Sequence, residues 1–328
     1  MRAKRYIYIV IGIALCLQAC RRDSHPSNPD VEELAISMAA SSVESTTRAL
    51  INSATDLNSF RVDAYKEGTS NEQVFSKHLV ERGGEGWTYS PVRYWDRKAT
   101  YYFGAYSPEN AVVNSTETKG VLTISAPNWQ AIDGTETDII VATSQDPATD
   151  YLNIHGGTVK LDFTHILAQL EVKIVRSATL LNTYTLTGLS YKQVPEGDGN
   201  NDDNKKSDYT FNYATPSSSV MNSTATGTKA VYSGAVVVAP EANEGTTFKH
   251  LVVPFSTQAE GGMLVAVTYK VGNGEPTTIA VKTNISTLEA GKRYVLTLTF
   301  NSGANIIPDL SVCGWAEEEV EEDDKYNW

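Results

Sequence analysis

Two short alternating runs of opposite parity meet at the midpoint of the chain, and they constrain the fold more than any other feature. Within Thr158–Val175, TVKLDFTHILAQLEVKIV, the apolar Val159, Leu161 and Phe163 alternate with Lys160, Asp162 and Thr164. That is the period of a strand with one buried face. Leu170, Val172 and Ile174 then alternate with Gln169, Glu171 and Lys173, but on even numbers. The parity flips between Thr164 and Ala168, which a sheet accommodates by a bulge, a corner or a short turn. Phe163, Ile166, Leu167, Leu170 and Ile174 also fit the i, i+3, i+4, i+7 spacing of an amphipathic helix. Strand is the better reading, because both flanks alternate and are rich in β-branched residues.

The same period runs through most of the chain. Candidate strands are Ser59–Tyr65, Glu72–Val80, Trp87–Tyr89, Thr100–Tyr106, Gly120–Ser125 and Asp138–Thr143 before the midpoint. After it come Asn182–Gln193, Asp208–Ala214, Ala230–Val238, Phe248–Phe255, Met263–Val271, Thr277–Thr283 and Arg293–Phe300. Turn formers such as Gly83-Gly84-Glu85-Gly86, Ser107-Pro108 and Asp133-Gly134 separate them. Thr100–Tyr106 is apolar on both parities, which predicts a central strand covered on both faces. Asn273-Gly274 is the strongest hairpin signal, since both central positions of a type I′ turn need positive φ. No helix of ordinary length is needed. An all-β chain of two consecutive units, 49–176 and 177–312, is the simplest expectation for 328 residues. On this division the midpoint supplies the last strands of the first unit, with His165 at the corner towards the second.

The two ends read differently. Residues 1–20 carry basic Arg2, Lys4 and Arg5, an apolar run from Tyr6 to Leu17, and Leu17-Gln18-Ala19-Cys20. This is a secretory signal with a lipoprotein box, whose Cys20 sulfur would take a diacylglycerol. Of three cysteines, removal of Cys16 and acylation of Cys20 leave only Cys313, so no intrachain disulfide is expected. Residues 21–48 read as a polar tether or pro-segment with a weak apolar strip at Val31 to Met38. Arg48-Ala49 stands in a Ser/Thr context just before the first strand-like segment, where proteases nick easily. Ile306 to Val312, interrupted by Pro308, suits an edge strand. Trp315 follows, and then seven acids between Glu317 and Asp324. Residues 313–328 form an acidic tail whose charges repel and solvate.

Few residues suggest chemistry. The five histidines lack metal-ligand spacing, and His165, beside the corner, reads as a structural hydrogen-bonder. The acidic stretch Glu196–Asp208 lacks the register of a calcium loop and reads as a solvated insertion. There is no nucleophile elbow, phosphate loop, HExxH or dinucleotide fingerprint. Neither a metal nor a cofactor is expected, and the reading is of a protein that is not an enzyme. A net charge of −12 argues against nucleic acid.

Several phrases occur in order: the lipobox at Cys20, Thr-Thr-Arg48-Ala, Phe60-Arg-Val-Asp-Ala-Tyr65, Tyr102-Phe-Gly-Ala-Tyr-Ser-Pro108, and Leu161-Asp-Phe-Thr-His-Ile-Leu-Ala-Gln-Leu170. Together they resemble the fimbrillin-like lipoproteins of Bacteroidales, subunits of protease-matured pili. The resemblance implies two tandem transthyretin-like β-sandwich domains, export as a surface-exposed outer-membrane lipoprotein, and cleavage after Arg48 by an arginine-specific protease. It further implies that cleavage removes an amino-terminal strand, opening a groove that a terminal strand of another fimbrial subunit fills. The pro-segment around Val31 to Met38 would occupy that groove beforehand. Backbone pairing at the strand edge would supply affinity, and alternate side chains selection. The donor candidates are Ile306, Ile307, Leu310, Val312 and Trp315. The acidic tail departs from the pattern of a deep-seated donor, so stalk, tip and anchor roles all stay open. The expected partners are other fimbrial subunits, the outer membrane through the lipid, and a host or bacterial surface glycan or protein. The rival is a surface lipoprotein that binds glycans without polymerising.

Overall fold

The computed structural model describes residues 34–42, 57–68, 72–84, 86–96, 98–109, 111–115, 118–126, 138–147, 158–192, 207–223, 228–241, 245–256, 261–302 and 305–314. Cys20, Arg48, Ala49, Trp315 and the Glu317–Asp324 acids lie outside the described residues, as does most of the Glu196–Asp208 insertion. Strands are numbered here in chain order. A 3₁₀ turn stands at Pro216–Ser218.

The first sheet has seven strands, β1 (Ser37–Ser42), β2 (Ser59–Glu67), β3 (Glu72–Gly83), β4 (Gly86–Thr88), β5 (Thr100–Ser107), β8 (Ile140–Pro147) and β9 (Thr158–His165), in the order β1-β9-β8-β5-β2-β3-β4. A smaller sheet, β13-β12-β7-β6, is built from β6 (Val112–Ser115), β7 (Val121–Ala126), β12 (Ser207–Asn212) and β13 (Val220–Ser223). Two four-stranded sheets come mostly from the later chain. One is β15-β10-β20-β21, from β10 (Ala168–Arg176), β15 (Thr246–Val252), β20 (Lys292–Asn301) and β21 (Asn305–Gly314). The other is β14-β11-β17-β18, from β11 (Tyr184–Lys192), β14 (Thr228–Val237), β17 (Leu264–Val271) and β18 (Thr277–Lys282). The short pair β16 (Phe255–Ser256) and β19 (Thr287–Leu288) completes the set. The chain is all-β, as its periodicity predicts.

Three apolar clusters hold these sheets. The even-numbered face of β10 (Leu170, Val172, Ile174) packs with Leu186, Val267 and Leu298 between the two later sheets. Phe60, Phe75, Phe103, Leu161 and Phe163 fill one side of the first sheet. Its other side carries Tyr65, Tyr106 and Val141 against Leu122, Ile124, Phe211 and Tyr213 of the smaller sheet. β5 serves both: Tyr101, Phe103 and Ala105 join one cluster and Tyr102 and Tyr106 the other, so it is the doubly covered central strand expected.

The midpoint is a pair of strands with a corner at His165–Leu167, and the helical alternative does not occur. The two strands part company, however. β9 stays in the first sheet while β10 pairs with β15 and β20, so β10 is not a last strand of the first unit. Traffic across position 176 runs the other way too: β12 pairs with β7 from Ser207↔Ala126 to Asn212↔Val121. The expected hairpin at residues 272–274 forms with a different turn. Gly274 N bonds to Val271 O (3.0 Å) and Gly272, with φ of 54°, takes the left-handed position expected of Asn273 and Gly274. Glycine there removes the Cβ clash that makes such a φ costly.

Candidate functional site

The stretch preceding Arg48 is more than a tether. Ser37–Ser42 forms β1, parallel to β9 in the register Ser37↔Thr158, Met38↔Val159, Ala40↔Leu161 and Ser42↔Phe163. The strand reaches beyond the strip at Val31 to Met38, because Ile36, Met38 and Ala40 continue the alternation. Ile36 and Met38 are 2% and 5% exposed within the cluster that holds Phe60 and Phe163, Ala40 packs against that cluster, and Ala39 faces solvent. Ser37 Oγ lies 2.6 Å from Thr158 Oγ1.

β1 is also gripped from its other side. Ile36 N donates to Arg93 O (2.9 Å), Trp95 N donates to Leu34 O (3.0 Å), and the Tyr89 hydroxyl donates to Ile36 O. Residues 89–95 follow β4, so the amino-terminal strand bridges the two ends of the seven-stranded sheet. Burying Ile36 and Met38 contributes about 1.5–3 kcal/mol each. The covalent link from β1 to β2 runs through residues 43–58, which contain Arg48.

A surface cleft of about 360 Å³ adjoins this grip, lined by Lys66, Glu72, Gln73, Arg93, Tyr94 and Tyr101. Lys66 Nζ lies 2.9 Å from Glu72 and 3.1 Å from Asp96, and Tyr94 is half exposed. Burial pushes the Tyr101 phenol above its ordinary range.

The donor candidates occupy an edge. β21 lies antiparallel to β20 from Asn301↔Asn305 to Lys292↔Gly314, with Pro308 opposite Leu298. The strand thus takes in Cys313 and Gly314 of the expected tail. Ile306 is buried and Leu310 half-buried against the later core, whereas Ile307 and Val312 are 45% and 52% exposed. Cys313 takes part in no disulfide among the described residues, and its Sγ donates to Arg293 O (3.9 Å).

Two buried polar contacts give residues within the quoted phrases a structural role. Asp63, in Phe60–Tyr65, accepts from Tyr213 OH (2.8 Å), Gln73 Nε2 (3.0 Å) and the Lys77 backbone N (3.1 Å). A Cβ on Gly104, in Tyr102–Pro108, would come within 2.5 Å of the Tyr213 ring. Burial pushes the Tyr213 phenol far up, and the Asp63 charge beside it adds to the effect. His165, in Leu161–Leu170, turns Nδ1 towards both oxygens of Asp138 at 3.1 and 3.0 Å, with each side chain only 2% exposed. It is the structural hydrogen-bonder expected. Among the described residues no group of acidic, histidine or cysteine side chains has the arrangement of a metal site.

The fimbrillin-like family model matches residues 47–315. The chain belongs to the fimbrillin-like family. Solved structures agree in fold. A fimbrial protein from Bacteroides vulgatus superposes with a TM-score of 0.59 at 16% identity, over 86% of this chain and 99% of that one. Candidate cell adhesion proteins from Bacteroides ovatus (TM-score 0.51, 16% identity, 88% and 100% covered) and Bacteroides uniformis (0.50, 17%, 87% and 98%) are also similar in fold. Among curated proteins no sequence matches.

Proposed function

We propose that this fimbrillin-like protein is a subunit of a surface fimbria, held inactive by its own strand β1. In this reading it is exported as an outer-membrane lipoprotein acylated at Cys20. An arginine-specific protease cleaves after Arg48, and the subunit then joins other fimbrial subunits by strand exchange. Its two sandwiches, 49–176 and 177–312, interlock through β10 and through the excursion of residues 207–223. The observation that carries the proposal is the placement of Ser37–Ser42: a short strand, upstream of Arg48, paired in parallel on the edge of β9 with Ile36 and Met38 inside the core. Six backbone positions and two apolar anchors hold it firmly while the chain is intact. Cutting residues 43–58 turns an intramolecular contact into a bimolecular one, and the high effective concentration that kept β1 seated disappears. Its departure would leave an unpaired strand edge above an apolar floor, a template for another chain.

The test is treatment of the purified precursor with an arginine-specific protease. The proposal expects one cut near Arg48 and a ladder on an unboiled gel, with Arg48→Ala staying monomeric. Clean cleavage with no ladder would contradict it. The glycan-binding alternative has in its favour the cleft beside half-exposed Tyr94. It expects the intact precursor to retain an acidic or neutral oligosaccharide that a Tyr94→Ala variant releases.

A further inference from the structure

The two walls of the cleft beside β1 are held by different parts of the chain. One wall is the β2–β3 hairpin, which supplies Lys66, Glu72 and Gln73, with Tyr101 of β5 next to it. Those strands pair with one another and do not depend on β1. The other wall is the strap of residues 89–96, which supplies Arg93 and Tyr94. Its backbone is carried by the residues leading into β1. Tyr94 forms an antiparallel bridge with Ala35, flanked by the bonds from Ile36 N to Arg93 O and from Trp95 N to Leu34 O. Tyr89 ties the two further, because its hydroxyl donates to Ile36 O and accepts from the Arg93 backbone N (3.4 Å). Trp95, edge-on to Tyr101 at 4.7 Å, anchors the far end of the strap, so Arg93 and Tyr94 are the part that relies on residues 34–36.

The lining groups define a ligand. A volume of about 360 Å³ lies at the small end of the range of ligand sites, with room for a short saccharide. Half-exposed Tyr94 offers a ring face on which a sugar can lie. The Lys66 ammonium is already answered by Glu72 (2.9 Å) and Asp96 (3.1 Å). The exposed Arg93 guanidinium, by contrast, makes no hydrogen bond or ion pair among the described residues. Its planar fork matches a carboxylate bidentately. The Gln73 amide nitrogen is spent on Asp63 and the Phe75 carbonyl, which leaves its oxygen, with Glu72, to accept from hydroxyls. An aromatic face, an unengaged guanidinium and acceptors for hydroxyls together complement a sugar acid.

From this arrangement we infer that the cleft binds a uronate-bearing saccharide, and that the bound saccharide holds β1 in its seat by joining the wall that relies on residues 34–36 to the wall that does not. The inference deepens the reading of the cleft beside Tyr94 and rests on β1 being the element that opens. The coupling is reciprocal. A ligand that binds only the closed form lowers the opening of β1 by the factor 1 + [L]/Kd. Departure of β1 in turn removes the backbone partners of Arg93 and Tyr94 and weakens the saccharide's hold. A surface rich in sugar acids therefore delays opening of the subunit, and opening releases the saccharide.

The uncleaved precursor carries both halves of the test. It is titrated calorimetrically with digalacturonate and, separately, with the neutral digalactose, and hydrogen exchange over Thr158–His165 is then followed with digalacturonate at about ten times its Kd. Digalacturonate should bind at least about tenfold more tightly than its neutral counterpart. Its presence should slow exchange of the β9 amides about tenfold. Arg93→Gln keeps the carbonyl that Ile36 N uses, so it should abolish the preference for the acid while leaving exchange of the ligand-free chain unchanged. Equal affinity for the two disaccharides, or binding of neither, would overturn the ligand class. A preference that survives Arg93→Gln would overturn its placement, and digalacturonate binding that leaves β9 exchange unaltered would overturn the coupling. None of these results requires cleavage, so retention of the fragment after cutting at Arg48 would count against strand release alone.

Discussion

Tyr213 donates a hydrogen bond of 2.8 Å to Asp63 from 150 residues away, and that contact fixes the small sheet onto the large one. The phenol reaches the carboxylate by passing close over Gly104, which stands directly across the ladder from Asp63. Asp63 also takes the backbone N–H of Lys77, a residue held at φ of 45° beside the register shift between β2 and β3. One buried carboxylate thus fixes a bulge, an inter-sheet contact and the Gln73 amide.

Removing the phenol alone should be costly. Tyr213→Phe leaves Asp63 buried with one acceptor site unfilled, an expected loss of about 1–3 kcal/mol in a denaturant titration. Gly104→Ala should cost a comparable or larger amount, because the tyrosine ring must shift. A Gly104→Ala chain as stable as the parent would show that the ring does not sit there.

Alkali should loosen the same contact. The Tyr213 phenol is raised by burial and by Asp63, and burial raises Tyr106 to about 12 against an ordinary 10.0. For a group raised on folding, the stability it contributes is fully present below the unfolded value. It falls as pH climbs from there through the folded value. Thermal midpoints should therefore hold steady to about pH 10 and then decline. Tyr213→Phe should flatten that decline; an equal slope in both chains would show that the phenol does not titrate with folding.

Much of this arrangement was legible in the sequence, and the reason for the rest is physical. The alternation at Thr158–Phe163 and Leu170–Ile174 placed β9 and β10, since a half-buried strand writes its period directly. Asp63, Gly104 and Tyr213 gave no such signal, because their meaning lies in a contact between sheets that no local period encodes. The phrases around Asp63 and Gly104 carried the family resemblance without revealing why. β1 was faint for a different reason: Ser37, Ala39 and Ser41 are small, and only Ile36 and Met38 mark the inward face. That β12 returns to β7 is a long-range pairing, invisible to turn chemistry.

The corner at the midpoint makes its own prediction. Asp138→Ala or His165→Ala each leaves a buried polar partner behind and should destabilise by about 1–3 kcal/mol. The double substitution should cost clearly less than the sum, since both remove one contact. Additive effects in the denaturant titration would separate the two residues.

Anchors on β1 should set how firmly the precursor is closed. Met38→Ala removes a buried side chain and should lower the free energy of opening β1 by about 2–4 kcal/mol, read from hydrogen exchange of the β9 amides. Ala39→Ser, on the outward side, should leave exchange unchanged. Equal exchange in Met38→Ala and parent would mean that Met38 does not anchor the strand.

The most direct measurement follows hydrogen exchange over Thr158–His165 through proteolysis at Arg48, with the oligomeric state recorded alongside. The account predicts protection in the precursor, loss of protection as the fragment ending at Arg48 leaves, and renewed protection in the assembled ladder. A cleaved chain that stays monomeric, keeps the fragment bound and protects β9 throughout would contradict it.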